Sequence, residues 1–311
     1  MSPMTIRTRE ACTKGLKAGL KTGIWISKMM IPITLGVALL KWAGVVDLLT
    51  EWLSPLFRFV GLTGEGVMVF LTGALSSLYS AIAVMATLNV DYRSALILAV
   101  MGLICHNLIV ETVIQRKSGT VGWVMATLRV GMAMVAAWGL NSLLPSDYTG
   151  TLIIEQVATT NGTLTATLTD WGWGMVKLIP IMFCLIVFLN VLQELLREYK
   201  LIESLTKVLT PLMKIFGLPR CTSFLWIVLN TLGLAYGGAV MISELEQGEI
   251  EPRAARMLNT HVAITHSLLE DTFIFLAIGL PLFWLVVPRV VLSMVAVWSE
   301  RAIYYIKDSR K

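Results

Sequence analysis

Eight apolar runs, near 24–46, 66–88, 94–114, 119–143, 174–195, 221–243, 255–278 and 281–303, take up most of the 311 residues of this chain. Each approaches or exceeds the ~20 residues that a helix needs to cross ~30 Å of hydrocarbon. Only helices and closed barrels satisfy every backbone polar group inside lipid. The decads of alternating polar and apolar residues that mark barrel strands are missing, so the pattern predicts an all-α polytopic membrane protein. With 56 % apolar and 14 % charged residues, little chain is left over for a soluble catalytic domain.

The basic N-terminus, with Arg7, Arg9, Lys14, Lys17 and Lys21, leads into an apolar stretch that outruns a signal peptide and lacks an Ala-x-Ala-like cleavage site. It is expected to stay attached, with 1–23 as an amphipathic cytoplasmic segment. Cys12, Cys105, Cys184 and Cys221 are scattered without a C-x-x-C, which predicts neither a disulfide frame nor a zinc knuckle. The net charge of +5 sits beside membrane segments, where the positive-inside bias operates, so the expected partner is the lipid bilayer and not nucleic acid.

The second half of the chain repeats the first. Residues 41–62 lie over 197–218 without a gap, pairing Asp47 with Glu203, Pro55 with Pro211 and Gly61 with Gly217 at an offset of 156. After residue 90 the offset becomes 160, which predicts four extra residues in the second copy's loop. From there the matches include polar residues that apolar composition does not produce by chance: His106 with His266, Glu111 with Asp271, Gly119 with Gly279 and Arg129 with Arg289.

Charge sets the expected topology. The linker at 145–170 carries Asp147, Glu155 and Asp170 and no Lys or Arg, whereas 194–220 and the tail are basic. Three crossings per copy, with one run not crossing, put both termini on the cytoplasmic side and the linker outside. The non-crossing runs are 66–88, interrupted at Ser76-Ser77-Leu78-Tyr79-Ser80, and 221–243, interrupted at 233–238; both read as re-entrant hairpins. An odd number of crossings makes the copies inverted, an architecture that places a transporter's substrate site at the repeat interface. The domains are then 24–144 and 171–304 as the two repeats, 145–170 between them and 305–311 as a cytoplasmic tail. The amphipathic stretches 47–60 and 203–216 are too short to cross and read as interfacial helices.

An interfacial helix ending in Ser54-Pro55-Leu56 and Val60-Gly61-Leu62, or Thr210-Pro211-Leu212 and Phe216-Gly217-Leu218, then an interrupted hairpin and two helices, all occurring twice, resembles the Gate or "nucleoside recognition" domain. That domain is shared by spore-maturation membrane proteins, concentrative nucleoside transporters and the membrane core of ferrous-iron transporters. The resemblance covers about 41–140 and 197–300 and implies an inner-membrane permease fold. No Gly-x-x-x-x-Gly-Lys-Ser/Thr motif is present, so the nucleotide-binding domain of the iron transporters is missing from this sequence.

Ionisable residues deep in a bilayer cost at least ~2.5–3.5 kcal/mol each, so those that occur twice need a reason. His106 and His266 lie about twelve residues into a crossing helix, followed directly by Asn107 and Ser267 and, at i+5, by Glu111 and Asp271. On a continuous helix that spacing is ~140° of rotation. Arg129 and Arg289 lie at comparable depth in the next helix. One reading is a proton-responsive centre in which the arginines hold an anionic group. The plainer reading pairs Arg129 with Glu111 and Arg289 with Asp271 as packing ion pairs. Ser77, Tyr79 and Ser80, with Tyr236, Gly237 and Gly238, are expected at hairpin tips whose backbone groups meet substrate, or else form a small-residue packing seam.

A transition-metal site from His106, His266, Glu111 and Asp271 is the alternative, opposed by the arginines unless these pair off the acids. No cofactor or resident metal is assigned. Enzyme motifs such as His-Glu-x-x-His and Gly-x-Ser-x-Gly are lacking. The expected function is a secondary permease for a small polar solute, nucleoside-like or an organic anion, by alternating access with proton coupling. Against it stand a divalent-metal permease and a non-transporting subunit of a complex. A homo-oligomer or a membrane partner is compatible with either.

Overall fold

The computed structural model describes residues 3–88, 90–153 and 163–308. Its elements come in two matching series. The first is α1 (Pro3–Trp42), α2 (Val45–Arg58), α3 (Glu65–Leu75), α4 (Leu78–Thr87), α5 (Tyr92–Ile104), α6 (Leu108–Lys117) and α7 (Gly122–Leu143). The second is α8 (Leu164–Glu198), α9 (Leu201–Ile215), α10 (Ser223–Thr231), α11 (Gly233–Glu246), α12 (Pro252–Thr265), α13 (Glu270–Ala277) and α14 (Leu282–Asp308), with a 3-10 turn at Arg220–Thr222 before α10. No strand occurs among the described residues. Glu155 of the acidic linker lies outside them.

Five stretches are long and apolar enough to cross a membrane: Ile6–Trp42, Tyr92–Lys117, Gly122–Leu143, Leu164–Glu198 and Leu282–Ile306. Their outward faces carry Trp25, Trp123, Trp138, Trp173 and Phe188, all more than 45 % exposed, as lipid-facing helices require. The helix that begins at Pro3 does not stop at residue 23 but runs unbroken to Trp42. It lies antiparallel on α8, Arg7 pairing with Glu198 at 2.7 Å and Lys14 with Glu194 at 2.9 Å. Close approach is possible because Gly15 and Gly19 face it: a Cβ there would stand 2.6 Å from the Val191 Cα and 2.7 Å from the Val187 Cα.

The interrupted runs fold as tight helical hairpins. Gly73 of α3 faces Ala81 of α4, and Gly237 of α11 packs on Leu229 of α10, so the two turns are centred on Ser77 and Gly233, again 156 apart. Ser77 starts α4 by accepting from the Ser80 amide at 3.2 Å, while Gly233 turns the chain with φ +79°. Of the four extra residues of the second copy, three extend the end of α11 to Glu246 and only one lies in the loop before α12, because a helix absorbs residues without new backbone groups to satisfy.

Four contacts order the ends of the bundle. Tyr92, at the start of α5, gives its hydroxyl to the Gly279 carbonyl beyond the end of α13, and the Ile153 amide bonds Ile278 O. At the other end Ser118, just past α6, is bonded to Asn259 of α12, and Thr260 of α12 to Glu300 of α14. The hairpins differ in their surroundings. Every residue of α4 is buried beneath α1, whereas α11 buries only Gly233, Leu234, Gly237, Gly238 and Met241.

Gly61 leaves α2 with φ +74°, and a side chain there would collide with Asn141. Asn141 Oδ1 itself accepts from Arg93 at 2.8 Å. Gly61→Ala is expected to lower the free energy of unfolding by at least the ~1–2 kcal/mol of a left-handed alanine. Gly36→Ala, in helix with open space around it, is expected to be neutral or stabilising. Thermal unfolding of the two purified variants side by side checks this; equal melting temperatures would remove the argument.

Candidate functional site

Neither of the two polar spans is a continuous helix. α5 ends at Ile104 and α6 starts at Leu108, while α12 ends at Thr265 and α13 starts at Glu270. The breaks hold the two histidines, and the residue after each takes a left-handed backbone, φ 45° at Asn107 and φ 53° at Ser267. Such conformations in non-glycine residues cost ~1–2 kcal/mol and mark over-determined sites. The expected ~140° separation of histidine and acid therefore fails. The break swings Glu111 back so that Oε1 stands 3.2 Å from His106 Nε2.

A broken helix in an apolar surround exposes carbonyls at its C-terminal side and amides at its N-terminal side. The two arginines answer the first. Arg129 gives Nε–H to Ile104 O at 2.9 Å and an Nη2 hydrogen to His106 O at 2.7 Å; Arg289 does the same for Ile264 O at 3.1 Å and His266 O at 2.5 Å. The hairpins answer the second. The Asn107 amide donates to Gly73 O at 3.0 Å and the Ser267 amide to Leu229 O at 3.1 Å, the same positions of α3 and α10. Both guanidinium groups are fully buried.

Between the breaks the side chains meet. The two imidazole rings lie 5.0 Å apart, centroid to centroid. His106 Nε2 is 3.4 Å from Asp271 Oδ2, and His266 Nε2 is 3.1 Å from Glu111 Oε2. Arg129 reaches Glu111 Oε2 at 2.5 Å, the expected pair. The other expected pair does not form: Arg289 spends its third contact on Thr272 Oγ1 at 3.4 Å, and Asp271 faces His106 instead.

Each ring's Nδ1 faces the carbonyl four residues back, Gly102 O at 3.0 Å and Val262 O at 2.9 Å. A carbonyl only accepts, so Nδ1 carries a hydrogen, and in the neutral ring Nε2 turns its lone pair to the cluster. Despite the short separations, Glu111 Oε2, His266 Nε2 and Asp271 Oδ2 make no hydrogen bond of acceptable geometry and are buried. His261, by contrast, is a satisfied core histidine, with Trp226 Nε1–H donating to Nδ1 at 3.2 Å and Ser293 Oγ 3.1 Å from Nε2.

The hairpin residues divide. Ser77, Tyr79 and Ser80 are at the first turn, with Tyr79 and Ser80 buried. Tyr236, Gly237 and Gly238 are not at a tip. They lie in the first turns of α11, Gly237 and Gly238 packed on Leu229 and Ile114, and Tyr236 half exposed beneath Arg197 at 4.2 Å. The turn itself is Gly233, beside Ser267 and Glu270. Sequence reasoning left out Gln193, whose amide donates to Glu270 Oε2 at 2.7 Å. From there Arg197, Glu194 and Lys14 continue a polar track to the surface of α1 and α8. A lone glutamine near the end of an apolar run gives no warning of such a role.

Arg289→Lys keeps the charge but not the fork that spans two carbonyls. It is expected to cost ~1.5–3 kcal/mol, the worth of one charge-assisted hydrogen bond. Thermal unfolding against the exposed Arg116→Lys reads this out, and an unchanged melting temperature would show that the guanidinium is not holding the break.

Comparison with known proteins adds one finding. No family model matches the chain, and no solved structure matches it significantly. An uncharacterized membrane protein of Bacillus subtilis (strain 168), YvoD, is 31 % identical over 283 residues, covering 89 % of each chain. With five apolar spans and that relationship, this is a multi-pass, all-helical membrane protein, and it belongs to the family of YvoD.

Proposed function

We propose that the protein is an inner-membrane permease in which two inverted halves alternate access to the cluster of His106, His266, Glu111, Asp271, Arg129 and Arg289. The observation that carries this reading is the meeting of two broken helices, each with its histidine at the break, at one buried charged centre. Broken helices at a repeat interface are how secondary transporters expose polar backbone to a solute.

Further support comes from direction. Tyr92 before α5 and Gly279 after α13 share one end of the bundle, so the two broken spans run oppositely. The start of α1 and the end of α14 then fall together at the end bearing Arg7, Arg116, Lys117 and Arg301, which supports cytoplasmic termini. One hairpin is covered and the other open, as expected for one side of an access cycle. The resemblance to Gate domains agrees with this arrangement.

The solute follows from charge. Both arginines give Nε–H and an Nη2 hydrogen to backbone carbonyls, which leaves Arg129 Nη1 buried without a hydrogen bond and the acids as the freer charge. Glu111, Glu270 and Asp271 outnumber them, and the centre suits a solute that brings positive charge or hydrogen-bond donors, with the histidines taking protons. The nucleoside-like and organic-anion expectations are both carried into the test beside cations.

The test is a thermal-shift screen of detergent-purified protein against nucleosides, organic cations, organic anions and divalent metals at pH 5.5 and 7.5, followed by proteoliposome uptake of whatever stabilises. A solute at 100 times its dissociation constant stabilises by ~2.7 kcal/mol. The expected result is selective stabilisation and uptake, both lost in a folded His106→Ala, His266→Ala double variant. If no compound accumulates above the level of that variant, the permease reading falls and the non-transporting subunit takes its place.

A further inference from the structure

The centre holds an electrostatic contradiction that no residue on the page resolves. Two imidazole Nε2 atoms, whose hydrogens are placed on Nδ1 by Gly102 O and Val262 O, present lone pairs to Glu111 and Asp271, which also only accept. Acceptor faces acceptor at 3.2 Å, 3.4 Å and 3.1 Å. Two of these atoms, His266 Nε2 and Asp271 Oδ2, are buried without a hydrogen bond, while Glu111 Oε2 has the Arg129 guanidinium at 2.5 Å. Such an arrangement repels itself unless positive charge lies among the atoms.

The arginines do not supply all of it. Arg129 reaches one oxygen of Glu111, and Arg289 is spent on Ile264 O, His266 O and Thr272. A proton on His106 Nε2 leaves His266 facing Glu111, and one on His266 Nε2 leaves both contacts of His106. One doubly charged ion relieves every contact at once. Bonds of ~2.0–2.1 Å to imidazole nitrogen and carboxylate oxygen set the ligand atoms of a tetrahedral site roughly 3.3–3.4 Å apart. The His106–Asp271 separation of 3.4 Å has that spacing, the contacts of His106 and His266 with the two Glu111 oxygens at 3.2 Å and 3.1 Å come near it, and the donor atoms of His106, His266 and Asp271 all lie within 4.8 Å of one another. The Nδ1–H to carbonyl bonds are the outer hydrogen bonds that orient metal-bound histidines.

We infer that His106, His266 and Asp271, with Glu111 as the fourth ligand, form a binding site for one divalent transition-metal ion of the zinc class. Two nitrogens with two carboxylates suit Zn²⁺, Co²⁺, Fe²⁺ or Mn²⁺; Mg²⁺ and Ca²⁺ prefer all-oxygen sites. Ligands come from both copies, so the ion joins the two broken helices. The inference rests on the proposed reading of this cluster as a ligand site and names the ligand's chemistry.

The experiment loads chelator-stripped, full-length protein in detergent with Zn²⁺ or Co²⁺ and measures bound metal by elemental analysis after dialysis. One ion per chain is expected, with Mg²⁺ in excess failing to displace it. The near-isosteric Asp271→Asn and His266→Gln variants, checked for a monodisperse folded state, should weaken binding about tenfold or more. X-ray absorption of the Zn²⁺-loaded wild type needs no variant. Two imidazoles and oxygen ligands at ~2.0–2.1 Å are expected there. Metal well under one ion per chain, undiminished binding in the folded variants, or a spectrum without imidazole overturns the site. Stoichiometric binding without metal flux into proteoliposomes keeps the site and removes metal as the transported solute. Uptake of another solute by metal-free protein keeps the permease and removes the metal.

Discussion

Everything about this centre depends on a debt of backbone hydrogen bonds. A helix broken inside an apolar surround leaves carbonyls and amides that water cannot reach, and each unsatisfied group costs several kcal/mol. Here the debt is met twice by the same device. A buried arginine from the following long helix takes two carbonyls of the break, and a carbonyl from the hairpin takes the amide of the left-handed residue. The histidines are therefore held by the backbone they sit in, and their rings are locked by carbonyls four residues back.

Because the same groups recur at offsets of 156 and 160, the two halves meet as near copies. Their differences then become informative. Glu111 has Arg129 as a partner, while Asp271 has only His106 within ion-pair reach. The second half adds Glu270, held by Gln193 of α8 and bordered by the hairpin turn at Gly233. The two similar halves thus make a lopsided site, with a polar track leaving on the side of the open hairpin. Acids in the first turns of α6 and α13 also stand where the helix dipole favours negative charge.

The repeat carried most of what could be read in advance. His106 with His266, Glu111 with Asp271 and Arg129 with Arg289 are charged or polar matches in apolar helices, and that alone marked them as one set. The hairpin turn at Ser77 was legible from its serines, whereas the six residues 233–238 offered several glycines and only Gly233 makes the turn. Gly237 and Gly238 serve packing, where a Cβ has no room.

Sequence by itself determined the class: apolar length sets membrane-crossing helices, and the offset of matching polar residues sets the duplication. Only the tertiary structure decided what those residues do. No proline or glycine stands at Cys105-His106-Asn107 or at His266-Ser267-Leu268, so local propensity does not announce the breaks. They exist because distant groups, an arginine 23 residues on and a hairpin carbonyl, compensate the lost helix bonds. Interactions between residues far apart in the chain have no local period, and the geometry that turned an i+5 spacing into a shared centre is of that kind.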